Sequence, residues 1–299
     1  MSVRDGRWMS NVALDRLLAV LVLAMAVTGG LTLRAGDASA AWLFTLHGLI
    51  GGSLVAAVVV KLRRSLPRAI SARRWPRLAV AGVVTILALG SLAGGFAWVA
   101  AGQLVTVGPW TVLTLHAILG LALAPIVVLH LLPHRWRVLR PRPGPAVSGA
   151  ALVSRRSLLV AGLFGVFSLA AWGGAAVVER VRGGERRFTG SRWLPSGGIP
   201  PVTTFFGEAT PPIDHDGWSV TVAGRVRRPA TYRVDELPRL GETELVAVLD
   251  CTGGWAMETS WRGVLVADLL DASGPEADAR RVEVRSVTGW AAGFSLEEA

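Results

Sequence analysis

A multi-span α-helical membrane domain followed by a mixed α+β domain is the fold class this sequence predicts, and three observations predict it. Five segments are long and apolar enough to cross a bilayer, basic residues crowd into alternate connections between them, and the composition turns to a mixed soluble pattern after Val178. With 52% apolar residues in 299, the chain carries more hydrophobic matter than a single soluble core of this length uses.

Crossing the hydrocarbon layer needs about 20 apolar residues. Residues 17–33, 41–62, 78–101, 110–132 and 158–178 qualify; the first is the shortest and contains Gly29 and Gly30. The connection after the second span carries Lys61, Arg63, Arg64, Arg68, Arg73, Arg74 and Arg77. The connection after the fourth carries Arg135, Arg137, Arg140, Arg142, Arg155 and Arg156, whereas those after the first and third carry only Arg34 between them. By the positive-inside rule the amino terminus is cytoplasmic and everything after the fifth span lies outside the cytoplasmic membrane. The net charge of +10 would otherwise suggest nucleic acid; basic loops at membrane edges account for it, so the expected partner is the lipid bilayer and no nucleic acid. Trp42, Trp98 and Trp110 at the outer edge, with Trp75 and Trp136 at the inner, read as interfacial anchors. Further spans follow the first apolar segment, so no cleavable signal peptide is expected. The division is a four-span membrane domain over 1–132, a basic linker over 133–156, a fifth helix over 157–178 and an outer domain over 179–299.

His47, His116 and His130 fall within spans, where an ionisable side chain is costly and marks function by default. Spans two and four run in the same direction. His47 is five residues past Trp42 and His116 six past Trp110, which puts both roughly 8 to 9 Å below the outer edge. Two imidazoles at one depth on two helices suit the two faces of one haem iron, so the first four spans are expected to form a haem b bundle. His130, 14 residues after His116, lies about 21 Å deeper on almost the same face, where it would serve a second haem. The matching place in span two is Lys61. Interhelical hydrogen bonding is the other reading of all three histidines. Gly48, Gly51, Gly52, Gly90, Gly94, Gly95 and Gly120 suit a macrocycle against the backbone and close helix packing equally.

Ahead of span five, SRRSLLVAG (154–162) sets a twin-arginine pair before an apolar run, the pattern of a signal for export of folded proteins. Two positive-inside arginines are the alternative. In the outer domain, WSVTVAGRVRRPATYRV (218–234) alternates around a break at 227–229 and predicts two strands and a turn. VDELPRL predicts a short helical turn, and ELVAVLD (244–250) a buried strand that delivers Cys251. Thr252, Gly253 and Gly254 then form a tight turn, VLVADLLDASG a helix ending at Gly274, and RRVEVRSV another strand.

Cys251 is the only cysteine in the chain. It has no internal disulfide partner outside the membrane, so it is either buried packing or a ligand; a soft thiolate suits a redox metal. The motifs DGWSVTVAGRVRRPATYRVDEL, LDCTGGWAMETSWRGVLVADLL and RVEVRSVTGW resemble the molybdopterin-binding domain of the sulfite oxidase family. The likeness is nearest to the bacterial branch that contains the periplasmic methionine sulfoxide reductase catalytic subunit. The resemblance implies a mixed α+β sulfite oxidase-like fold and a molybdenum-molybdopterin cofactor with Cys251 as the metal's thiolate ligand, Thr252 and Gly253 beside it. It also places Phe205 and Phe206 of TTFFGEA in the family's pterin-packing stretch. Trp255 and Trp261 would wall the substrate pocket or pack the core, and Arg262 would sit near an anionic substrate or in solvent. Family members continue with a segment supplying much of the pterin phosphate site; here the chain stops at Glu298 and Ala299, so a fragment, incomplete at its carboxyl end, is expected. The spans resemble bacterial cytochrome b and ferric reductase-like modules through their histidine geometry.

The expected function is oxygen-atom transfer on a small, sulfur-containing substrate outside the cytoplasmic membrane, coupled through haem b to quinone. The alternative is a haem b electron carrier or anchor whose outer domain binds a partner without catalysis.

Overall fold

The computed structural model describes residues 9–33, 35–71, 75–131, 155–204 and 211–299. Among these, five helices are long and apolar enough to cross a membrane: α1 (Asn11–Thr32), α2 (Ala41–Ser71), α3 (Trp75–Ala100), α4 (Val112–Leu131) and α5 (Arg155–Val181). A mixed part follows, with strands β3 (Arg192–Trp193), β4 (Ser219–Val222), β5 (Ala230–Arg233), β6 (Thr243–Cys251) and β7 (Trp255–Gly263), helix α6 (Val266–Ser273), and strands β8 (Arg281–Arg285) and β9 (Ala291–Ser295). The chain divides into two compact units, residues 1–193 with 250–256 and residues 194–249 with 257–299.

In the first unit the helices pack through small residues. A Cβ on Gly48 would lie 2.4 Å from Trp172, and one on Gly52 would lie 2.7 Å from the Ser168 backbone, so α2 and α5 approach to near backbone contact. Ser53 and Ser168 share a 2.7 Å hydrogen bond at this crossing. Gly52→Val is therefore expected to cost about 1–3 kcal/mol by overpacking, read as a lower thermal midpoint of the detergent-solubilised protein. An unchanged midpoint would contradict this crossing. Between α3 and α4 the chain makes a short antiparallel hairpin, β1 (Thr106–Val107) with β2 (Trp110–Thr111), so α4 starts at Val112 rather than at the expected residue 110. At the other end of the bundle Lys61 of α2 forms a 2.5 Å ion pair with Asp15 of α1.

One expected anchor is a correction. Trp42 and Trp75 are exposed, as lipid-facing anchors would be, but Trp98 is only 3% exposed. A tertiary partner, described below, takes its ring. Trp136 and the linker arginines from 135 to 142 lie outside the described residues, as do Phe205 and Phe206. Arg155 opens α5, so the twin-arginine pair falls at a helix start.

In the second unit β4 and β5 pair antiparallel, Ser219 opposite Arg233 through Val222 opposite Ala230, as the alternation predicts. Helix α6 ends where glycine was expected to stop it: Gly274 has φ +64° and its N–H donates to Leu270 O at 2.7 Å. Strand β9, paired antiparallel with β8, escapes prediction because AAGFS has little strand propensity. In β7 the Glu258 and Ser260 side chains dilute the apolar pattern that would mark a strand.

Candidate functional site

Strands β6 and β7 are neighbours in one sheet, and the turn that joins them presents Cys251. Gly254 takes φ +91° and its N–H donates to Cys251 O at 2.8 Å, a closure that a side chain at this position would strain. The Gly253 N–H points at Cys251 Sγ, 3.4 Å away. Cys251 is half-buried and Thr252 beside it is exposed, leaving the sulfur approachable from one side. These features fit a soft redox metal held by thiolate.

The residue before the cysteine is held more firmly than the sequence suggests. Asp250 accepts from Arg187 Nη1 at 2.8 Å, Thr189 Oγ1 at 2.7 Å and Ser191 Oγ at 2.5 Å. β3 then pairs parallel with the start of β7, Arg192 opposite Trp255 and Trp193 opposite Ala256, and Arg192 N donates to Gly254 O at 2.8 Å. Trp255 is buried at this junction. Trp261 and Arg262 lie at the far end of β7: Trp261 Nε1 donates to Ala247 O, and the exposed Arg262 pairs with Glu242 at 3.0 Å.

Arg192 is 1% exposed. Its Nη1 donates to Glu179 Oε1 at 3.1 Å, its Nη2 to the carbonyls of Trp98 and Val99, and its guanidinium lies 5.1 Å from the Trp98 ring centre. It thus satisfies carbonyls at the carboxyl end of α3, where a cation is favoured. Burial pushes its guanidinium below the ordinary value, and Glu179 opposes that shift.

The structure brings His47 of α2 and His116 of α4 together, ring centres 5.9 Å apart and planes at 84°. Two metal–nitrogen bonds of about 2 Å and two ring radii of about 1 Å separate imidazoles on opposite sides of one metal by about 6 Å. Both rings are fixed through Nδ1. His116 Nδ1 lies 2.7 Å from Ser91 O, which only accepts, so this nitrogen carries the proton. His47 Nδ1 lies 2.8 Å from Thr28 Oγ1, whose own hydrogen goes to Ala24 O at 2.7 Å, so His47 donates as well. Each Nε2 is then left with a lone pair, the state a ligating imidazole needs. The Gly29 and Gly95 faces lie against these rings, where a Cβ would stand 3.1 and 3.0 Å from their Cε1 atoms. Among the described residues no group of three or more His, Cys, Asp or Glu side chains could hold a metal ion. His130 sits in the last turn of α4, about 21 Å along the helix from His116, and Lys61 at the corresponding depth is engaged by Asp15. Thr28, Ser91, Asp250 and Arg192 are the positioning residues that sequence reasoning missed; a hydroxyl inside an apolar span is the signal that marks the first two.

Comparison with known proteins bears on the second half of the chain. Residues 207–299 match the family model described as the oxidoreductase molybdopterin binding domain. The chain is 39% identical over 67 residues to the protein-methionine-sulfoxide reductase catalytic subunit MsrP of Burkholderia mallei, covering 22% of this chain and 20% of that protein. It is 34% identical over 71 residues to the subunit of the same name from Ralstonia nicotianae, covering 23% and 22%. The chain thus spans about a fifth of the length of these curated relatives. No solved structure matches. Five long apolar helices are thus followed by a mixed helix and sheet region whose residues 207–299 match the oxidoreductase molybdopterin binding domain model.

Proposed function

We propose that this chain is a membrane-anchored molybdopterin-dependent oxidoreductase that moves an oxygen atom to or from a small, sulfur-containing substrate outside the cytoplasmic membrane. Electrons reach or leave it through haem b held by His47 and His116, with a quinone as the membrane partner. The observation that carries this reading is the Cys251 turn: the chain's one thiol lies within the matched domain, with a backbone N–H on its sulfur. The similarity to methionine sulfoxide reductase subunits supports the substrate class.

Molybdenum bound through Cys251 and the pterin supplies the two-electron oxygen-atom chemistry. The chain's own residues do the placing. Gly253 N–H donates to the sulfur, Asp250 anchors the strand end, and Gly254 lets the turn close against its neighbours. Ser91 and Thr28 fix the imidazole tautomers so that each Nε2 keeps the lone pair that would hold a haem iron. Five apolar helices and the distribution of basic loops support the membrane location, with the amino terminus inside and residues after α5 outside.

Metal and optical analysis of the detergent-purified chain tests this. Molybdenum together with a Soret band is the expected result, and His116→Ala should remove the Soret band while molybdenum stays. A Soret band without molybdenum, in protein made by a host that assembles the cofactor, would instead make the chain a haem carrier.

A further inference from the structure

The turn that holds Cys251 belongs to the same compact unit as the five apolar helices, and its neighbours there are specific. Thr111, fully buried at the entry to α4, donates from Oγ1 to Gly253 O at 2.6 Å. Its Oγ1 also accepts from Thr114 N at 3.1 Å, which fixes the hydroxyl's direction. The Trp98 ring closes the other side: a Cβ on Gly254 would lie 2.8 Å from Trp98 Cζ2 and 2.5 Å from Leu113. Trp98 is held in turn by its Nε1 bond to Gly190 O at 3.2 Å and by the Arg192 guanidinium.

The same two helices hold His116. Gly94 and Gly95 of α3, one turn before Trp98, face the His116 side chain, and Thr111 and Leu113 precede His116 by five and three residues. Successive turns of α3 and α4 therefore touch first the histidine and then the cysteine turn, within about 8 Å of helix rise. Gly253 and Gly254 are buried by their own chain, so a separate carrier has no access to this face of the turn.

We propose that the outer end of the α3–α4 hairpin is the seat of the Cys251 turn, that Thr111 and Trp98 are its positioning residues, and that electrons cross this seat within one chain. The electron-transfer part rests on the proposed function; the seat itself does not. In the reducing direction the substrate's sulfur–oxygen bond breaks and the oxygen leaves as water with two protons from solvent. The two electrons come from a membrane quinol, which becomes the quinone, and they cross one at a time.

Two measurements on the full chain in detergent test it. In protein from a host that makes no molybdopterin, the rate of Cys251 alkylation by a maleimide is compared among variants. Thr111→Val and Trp98→Leu leave a buried carbonyl unpaired or a void, and are expected to raise the rate about tenfold, with Thr111→Ser and Trp98→Phe near wild type. Equal rates in all four variants overturn the seat. In loaded protein, dithionite-reduced haem is mixed with methionine sulfoxide. Reoxidation is expected to be first order, independent of protein concentration, and slowed about tenfold in Trp98→Leu with an unchanged Soret band. A rate that rises with protein concentration overturns transfer within one chain. Wild-type protein without molybdenum or haem would mark failure of the functional reading instead, and the alkylation result would still decide the seat.

Discussion

Replacing Cys251 with serine is expected to strip molybdenum from the purified protein and abolish turnover, while the haem spectrum stays as in the wild type. The cysteine sulfur would be the soft donor to the metal, whereas a serine hydroxyl offers a hard and weaker one. Loss of outer partners of a metal ligand typically costs roughly 10–100-fold in affinity or activity, so loss of a ligand itself costs at least as much. The seat on α3 and α4 uses Gly253, Gly254 and the backbone rather than the sulfur, so the substitution leaves the fold in place. Metal content and turnover of the variant decide the matter: molybdenum at wild-type stoichiometry with retained activity would refute the ligand assignment.

Removing the Arg192 side chain is expected to cost stability on a larger scale than any surface change. Arg192→Met leaves the Trp98 and Val99 carbonyls without their buried donor and takes from Glu179 one of two cationic partners, Arg186 remaining at 2.6 Å. Breaking a buried pair costs about 3–5 kcal/mol, with the lower end expected because Arg186 remains. The loss reads as a lower unfolding midpoint in detergent. Because the Arg192 guanidinium also clamps the Trp98 ring, the variant should expose Cys251 to alkylation as the seat variants do. Glu179→Gln combined with Arg192→Met should cost less than the sum of the two singles, since one pair is lost once. Full additivity, or a wild-type midpoint for Arg192→Met alone, would show that the ion pair does not hold this junction.

Much of the architecture follows from short-range patterns. Apolar length marks the five helices, alternation marks the β4–β5 hairpin, and Gly274 marks the end of α6, because each depends on residues within one or two turns of each other. The relative depth of His47 and His116 could likewise be counted from the span edges, since helix rise is constant. Trp98 shows where counting fails. Its place at a span edge reads as a lipid anchor, yet its ring is buried on Gly254, a residue 156 positions away in the chain.

The sequence by itself determined that five helices can cross a membrane, that a thiol ends an apolar strand ahead of two glycines, and that two histidines share a depth. Only the tertiary structure decided which hydroxyls and carbonyls fix those imidazoles, that Asp250 is gripped by Arg187, Thr189 and Ser191, and that the cysteine turn rests on Thr111 and Trp98. The reason is physical. Periodicity reports which face of an element is apolar, whereas a buried polar group takes whichever partner packing brings within hydrogen-bond reach, and that choice is made between residues far apart in the chain.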